Sequence, residues 1–180
     1  MELDDADAPS QPHLLKLARQ GNAGAFEQLY RLHAPAVFTL ALRLTGNRAA
    51  AEDIVQDTFL RMFGFLTGLR TDTPLRPWLK RVAANLAIDR LRRERRYGDD
   101  ERLGSMESAG TVHADSVEAE ALLRRLSPLA RTLLWLHEIE GWSHTELARR
   151  FGRSESWSKS ILSRALARLR EDMDPGDDDA

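Results

Sequence analysis

WSHTELARRFGRSESWSKSILSRALARLR, residues 142–170, sets two amphipathic patterns on either side of one glycine. Ser143 followed three residues later by Glu146 is a capping box, in which hydroxyl and carboxylate each accept a backbone N–H that the first helical turn leaves free. Leu147, Ala148 and Phe151 then share one face. Gly152 allows a tight turn, Ser154 begins a second helix, and Glu155 stands in its first turn. A small residue at 148 and a glycine at 152 are what two steeply crossed, closely packed helices need, the pattern of a helix-turn-helix. The second helix offers Lys159, Ser160, Ser163, Arg164 and Arg168 with few acids. Short hydroxyls suit base edges in a major groove and long cations suit phosphates. The same residues also admit a plain helical hairpin whose charges are solvated. One position strains the pattern: Ser158 stands where a branched apolar residue should pack against the first helix. Either Ile161 and Leu162 carry that packing, or the helix is rotated so that Trp157 is partly buried.

Helical periodicity continues through the rest of the chain, and nothing alternates in the manner of a strand. The expected fold is all-α, with two small helical domains joined by a flexible linker. From Ala25 to about Thr45, Phe26, Leu29, Tyr30, Val37, Leu40, Ala41 and Leu44 recur at helical spacing, and Gly46-Asn47 ends the run. In residues 48–66, Ala51, Ile54, Val55, Thr58, Phe59, Met62, Phe63 and Leu66 form one apolar stripe. TDTPLRP, residues 71–77, reads as a loop by its two prolines, and a long helix is expected from about Trp78 to Arg96. YGDDERLGSMESAGTVHADS, residues 97–116, has three glycines and few large apolar residues, the composition of a linker. Beyond it, apolar helices are expected near 117–126 and 128–140, then a shorter pair around Gly152. The boundaries are an acidic tail and the start of the first helix at 1–21, a first body at 22–97, the linker at 98–116, a second body at 117–170, and an acidic tail at 171–180.

RPWLKRVAANLAIDRLRRERR, residues 76–96, packs eight Arg and Lys among two acids. Leu79, Val82, Ala83 and Leu86 face inward at helical spacing, with Lys80, Arg81, Asn85, Arg92 and Arg95 on or near the outer side. Exposed bases that neutralise phosphates give salt-dependent affinity without reading sequence. Trp78 at the start of this surface is placed either to anchor the core or to stack an unpaired base. A basic helix together with a helix-turn-helix on one tether implies engagement of separated sites on one nucleic acid.

The overall net charge of −2 averages unlike parts. Residues 1–10 carry four acids and residues 171–180 six, with no base in either, so the remaining 160 residues hold 26 bases against 18 acids. The body is basic, and the tails have the composition of solvated, disordered chain. Cysteine is absent, which excludes a disulfide framework and thiolate metal sites and suits a reducing compartment. No apolar run approaches the ~20 residues that span a bilayer, and MELDDADAPS lacks the regions of a signal peptide. The expectation is a soluble, cytoplasmic protein without membrane insertion.

Asp53, Gln56, Asp57, Leu60 and Arg61 make a stripe that is polar except for one leucine, as a face for a charged partner protein would be. Asp53 and Asp57 lie one turn apart, but no histidine accompanies them, which argues against a metal or an acid–base pair. His137 and His144, seven apart across Gly141, make a poor metal site.

With these segments in place, the chain resembles the extracytoplasmic-function (ECF) group of bacterial RNA polymerase sigma factors over roughly residues 22–170. AEDIVQDTFLRMF (51–63) is similar to the polymerase-binding helix of that family. Residues 76–96 resemble its promoter-melting, minus-ten-reading helix in region 2, and the segment from Leu126 to Glu171 resembles its minus-thirty-five domain, region 4. The three motifs in this order are strongly specific together.

The resemblance implies a transcription initiation factor rather than an enzyme, with no cofactor and no metal. It implies that Asp53, Gln56, Asp57, Leu60 and Arg61 contact the β′ clamp coiled coil of core RNA polymerase, with the β flap as a further contact. Trp78, Lys80, Arg81, Asn85, Asp89, Arg92 and Arg93 would bind the minus-ten strand of promoter DNA. Arg153, Lys159, Ser160, Ser163 and Arg164 would bind the minus-thirty-five element, and an anti-sigma factor would hold the protein inactive. The recognition helix departs from the family's usual Gly-Thr-Val-Lys-Ser-Arg, reading Ser156-Trp157-Ser158-Lys159-Ser160-Ile161. Two other classes fit parts of the chain: a stand-alone helix-turn-helix regulator, which needs no polymerase-docking face, and a helical enzyme built on Asp53 and Asp57.

Overall fold

The computed structural model describes residues 10–96, 121–123 and 125–173. The linker and most of both acidic tails, with residues 117–120 and 124 of the helix expected near 117–126, lie outside the described residues. Every regular element among the described residues is helical.

Four helices make the first module: α1 (Gln11–Arg19), α2 (Ala23–Thr45), α3 (Arg48–Phe65) and α4 (Leu75–Arg96). α1 is short, but Leu14, Leu15 and Ala18 bury one face of it against α2. Asn22 caps α2 by accepting the Ala25 N–H at 2.9 Å, and Asn47 caps α3 by accepting the Ala50 N–H at 2.8 Å. Gly46 closes α2 at φ +66°, its N–H returning to the Leu42 carbonyl at 2.8 Å. A side chain there would be strained by the left-handed backbone, so the glycine sets where α2 stops. Leu15, Leu29, Val37, Met62, Leu75, Leu79 and Ile88 form the dry centre of this bundle.

The second module holds α5 (Pro128–Glu138), α6 (His144–Phe151) and α7 (Glu155–Met173). Ser127 caps α5, and Pro128 follows in the first turn, where a missing N–H costs nothing. Leu133, Leu136, Leu147, Phe151, Leu162 and Ala165 fill its interior.

Several boundaries differ from the sequence expectation. α4 starts at Leu75, not Trp78, because Pro77 lies in the first turn, where no helical acceptor awaits its nitrogen. Leu75 is wholly buried and fixes that start. α7 runs 19 residues rather than forming half of a short pair. Tyr30 and Phe63, expected in buried stripes, are 42% and 64% exposed.

The two modules also pack together: α5 lies on α2, and α4 touches both α5 and α6. The buried Thr132 hydroxyl donates to the Leu44 carbonyl at 3.2 Å, and the Arg43 guanidinium lies 5.6 Å from the Trp135 ring centre. A slack arrangement is what the linker composition suggests, whereas complementary side chains on the two modules hold them in contact.

Candidate docking face and nucleic-acid interfaces

Asp53, Gln56, Asp57, Leu60 and Arg61 are all exposed along α3. Asp53 lies 3.6 Å from the Arg90 guanidinium of α4. Beside this stripe runs an apolar groove lined by Phe26, Tyr30, Gln56, Phe59, Leu60 and Phe63. Tyr30 lies 4.6 Å from Phe59 between ring centres, and Phe26 meets Phe63 edge-on at 5.5 Å. The exposed surface around this stripe is therefore more apolar than the sequence stripe indicates, with Phe26, Tyr30 and Phe63, which the sequence reading did not single out as site residues, lining the groove beside it. A signal was present: Phe59, Leu60, Met62, Phe63 and Phe65 fall within seven residues, more apolar surface than one core-facing stripe of a helix accommodates. An exposed aromatic cluster of this kind marks an interaction surface.

Asp57 and Arg61 of α3 line a second, polar cleft together with Leu86, Asp89, Arg92 and Arg93 of α4. The candidate docking face and the candidate strand-binding face thus meet along one edge of the first module.

On α4, Trp78 is half-buried and packs against the core, while Arg93 is exposed. The other α4 residues singled out face the second module. Lys80 pairs with Glu140 at 2.6 Å. Arg81 pairs with Glu146, its guanidinium 4.4 Å above the Trp142 ring centre. Arg150 donates from Nε to Asn85 Oδ1 at 2.7 Å, and from Nη2 to the Asn85 carbonyl at 3.0 Å and Asp89 Oδ2 at 2.6 Å. Arg92 donates to the Arg150 carbonyl at 3.2 Å. The Glu146 carboxyl is lowered to about 2, first by the Ser143 backbone N–H and then by Arg81 and the Ser143 hydroxyl. It is the capping carboxylate and an inter-module ion pair at once.

In the second module, both halves of the capping box form, with Ser143 Oγ accepting the Glu146 N–H at 3.2 Å and Glu146 accepting the Ser143 N–H at 2.9 Å. Gly152 turns the chain at φ +65°. Arg153, Lys159, Ser160, Ser163 and Arg164 are all exposed. Lys159 is 3.7 Å from Glu155, and Arg164 Nε returns to the Ser160 carbonyl at 3.2 Å. These weak local contacts leave the face open to a polyanion. Trp157 packs half-buried on Phe151, with ring centres 5.4 Å apart.

His137 and His144 stack with ring centres 4.3 Å apart. His137 Nδ1 meets the Trp142 carbonyl at 2.6 Å and His144 Nδ1 meets Ser158 at 3.1 Å, so each ring has one nitrogen in use. Among the described residues no group of three or more potential ligands could hold a metal, nor is any helix long and apolar enough to cross a membrane.

Comparison with known proteins gives a consistent result. The family model for Sigma-70 region 2 matches residues 29–97, and that for Sigma-70, region 4 matches residues 116–169. RNA polymerase sigma factor CarQ of Myxococcus xanthus is 35% identical over 159 residues, covering 85% of this chain and 91% of CarQ. ECF RNA polymerase sigma factor SigL of Mycobacterium tuberculosis is 35% identical over 164 residues, covering 85% and 91%. Among solved structures, the sigma factor RpoE in complex with the anti-sigma factor NepR from Bartonella quintana aligns with TM-score 0.54 at 27% identity, over 81% of this chain and 94% of that one. CnrH in complex with the cytosolic domain of CnrY aligns with TM-score 0.52 at 28% identity, over 92% and 97%. The matched regions, the extent of these relatives and the all-helical architecture together assign the chain to the ECF RNA polymerase sigma factors.

Proposed function

We propose that the chain joins core RNA polymerase through the α3 face and its aromatic groove, and presents α4 to the minus-ten strand and α7 to the minus-thirty-five element. The observation that carries this reading is the polar cleft in which Asp57 and Arg61 adjoin Asp89, Arg92 and Arg93. A strand captured along α4 would then lie beside the polymerase surface that α3 grips. Lys80, Arg81, Arg92 and Arg93 supply cations for its phosphates, Trp78 an indole face for stacking, and Asn85 and Asp89 hydrogen-bonding groups for an extruded base. Arg153, Lys159 and Arg164 would hold phosphates, while Ser160 and Ser163 reach base edges.

Duplex opening in this scheme needs no catalytic group. Unpairing and unstacking cost a few kcal/mol, which the capture of bases that only single strands offer would offset. The protein would act in the cytoplasm, without a cofactor. An anti-sigma partner is part of the proposal, supported by RpoE having been solved with NepR.

Permanganate footprinting of open complexes tests the role of α4. Asn85→Ala is expected to bind core polymerase normally and to lose most thymine reactivity around the start site. Footprints equal to those of the parent would exclude base capture by Asn85. A stand-alone regulator would instead bind duplex DNA unaided and ignore core polymerase.

A further inference from the structure

Residues 144–170, the helix-turn-helix, contain two acids, Glu146 and Glu155. Glu146 belongs to the capping box and to Arg81. Glu155 stands exposed in the first turn of α7, in a module whose exposed cations include Arg149, Arg153, Lys159 and Arg164. A carboxylate repels phosphates, so on a DNA-facing helix it is useful only toward a base edge that donates a hydrogen bond. An acid in the first turn also suits the helix dipole, but that role needs no support from another helix. Here the Thr145 hydroxyl of α6 donates to Glu155 Oε1 at 2.6 Å, and Lys159 Nζ lies 3.7 Å from Oε2. Glu155, Lys159 and Ser163 recur every four residues along one exposed strip of α7. The Glu155 and Lys159 side chains are still 48% and 61% exposed, so both remain open to a ligand.

We propose that Glu155 is a specificity-determining residue of the upstream contact, reading one C·G pair in the major groove together with Lys159, and that Thr145 is the residue that positions it. This rests on the reading that α7 enters the minus-thirty-five element, and within it moves Lys159 from phosphate to base edge. A C·G pair offers cytosine N4 as donor and guanine O6 as acceptor, joined to each other by a hydrogen bond of about 2.9 Å. Glu155 and Lys159 present an acceptor and a donor side by side at 3.7 Å, the complementary order. Guanine N7 then gives the ammonium a second acceptor. An A·T pair offers the same central donor and acceptor but fails at both flanks: adenine N7 would face the carboxylate lone pairs, and the thymine methyl would stand where the second acceptor is needed. The Thr145 hydroxyl, opposed by desolvation and aided by the Lys159 charge, holds the Glu155 carboxyl below its ordinary range. The group is therefore ionised near neutral pH and only accepts.

Selection from a library of promoter duplexes with a randomised upstream element, using the full chain bound to core polymerase, tests this position by position. The parent is expected to enrich an element in which one C·G pair depends on Glu155. Glu155→Ala should reduce the preference for that pair about tenfold, while the other positions keep theirs. Glu155→Gln should shift the preference at the same position toward adenine, because an amide pairs with N6 and N7 together. Lys159→Ala should weaken selection of the same pair, and Thr145→Val should do so by about threefold, the loss of one supporting hydrogen bond. A carboxylate that served only the helix dipole or the pair with Lys159 would change enrichment evenly across the element or not at all. Either pattern in both Glu155 variants overturns the inference while leaving α7 as the upstream reader. If the parent enriches no upstream element, the reading of α7 falls and the inference falls with it.

Discussion

Ser158 is fully buried, and its hydroxyl lies 3.1 Å from Nδ1 of His144 across the helix-turn-helix. A serine at the crossing of two helices would leave an unpaired polar group, and the imidazole supplies its partner. The packing that a branched side chain would have provided is divided: Leu162 is buried, Ile161 is half-buried, and Trp157 covers Phe151. Both arrangements admitted by the sequence are therefore present in part.

Ser158→Ala removes this bond without adding volume. The expected cost is about 1 kcal/mol, a hydrogen bond's net worth, or about 3 °C in Tm for a chain of this size. Thermal denaturation followed by circular dichroism measures it. A Tm equal to the parent's would mean that the bond contributes nothing.

Acidification should destabilise the fold through His33 and His144. His33 is buried with both ring nitrogens unpartnered, and burial first, then the Arg76 charge, lowers its pKa below 6.5. Burial first, then His137 and Lys159, lowers that of His144. A lowered pKa means that the unfolded chain binds the proton more readily, so the stabilisation is complete above 6.5 and is lost as pH falls below it toward the folded values. Tm is expected to drop as pH falls below about 6.5, and His33→Leu should flatten part of that slope. A slope unchanged in the variant would remove His33 from the account.

How much of this was legible in the sequence depends on the range of the interaction. The capping box at Ser143 and Glu146, the stops at Gly46 and Gly152, and the inward faces of α3 and α4 follow from contacts within a few residues, which local chemistry dictates. α1 is legible only as the start of a first helix within residues 1–21, because no capping box marks its beginning as one marks the still shorter α6. Tyr30 and Phe63 were assigned inward because spacing identifies a face but does not say how wide the neighbouring helices cover it. The Arg150 contacts with Asn85 and Asp89 join residues 65 and 61 apart. Nothing in linker composition announces that pairing; it depends on charges from two modules falling into register only once each has folded.

The aromatic groove should contribute affinity without contributing stability. Leu60 and Phe63 are 62% and 64% exposed, so Leu60→Ala and Phe63→Ala are expected to shift Tm by little. As anchors in an interface, each should weaken core polymerase binding by about tenfold, in the range of a hot-spot truncation. Titration of labelled protein with core enzyme checks this; undiminished affinity in both would place the polymerase contact elsewhere.

The central claim is that the α3 face docks on core RNA polymerase, and purified components test it most directly. Full-length protein mixed with core enzyme should co-elute at one-to-one stoichiometry on size exclusion, and Asp57→Arg, on an exposed position, should weaken that association by tenfold or more, about 1.4 kcal/mol, while its Tm stays that of the parent. Failure of the parent to co-elute, or equal binding by Asp57→Arg, would contradict the account.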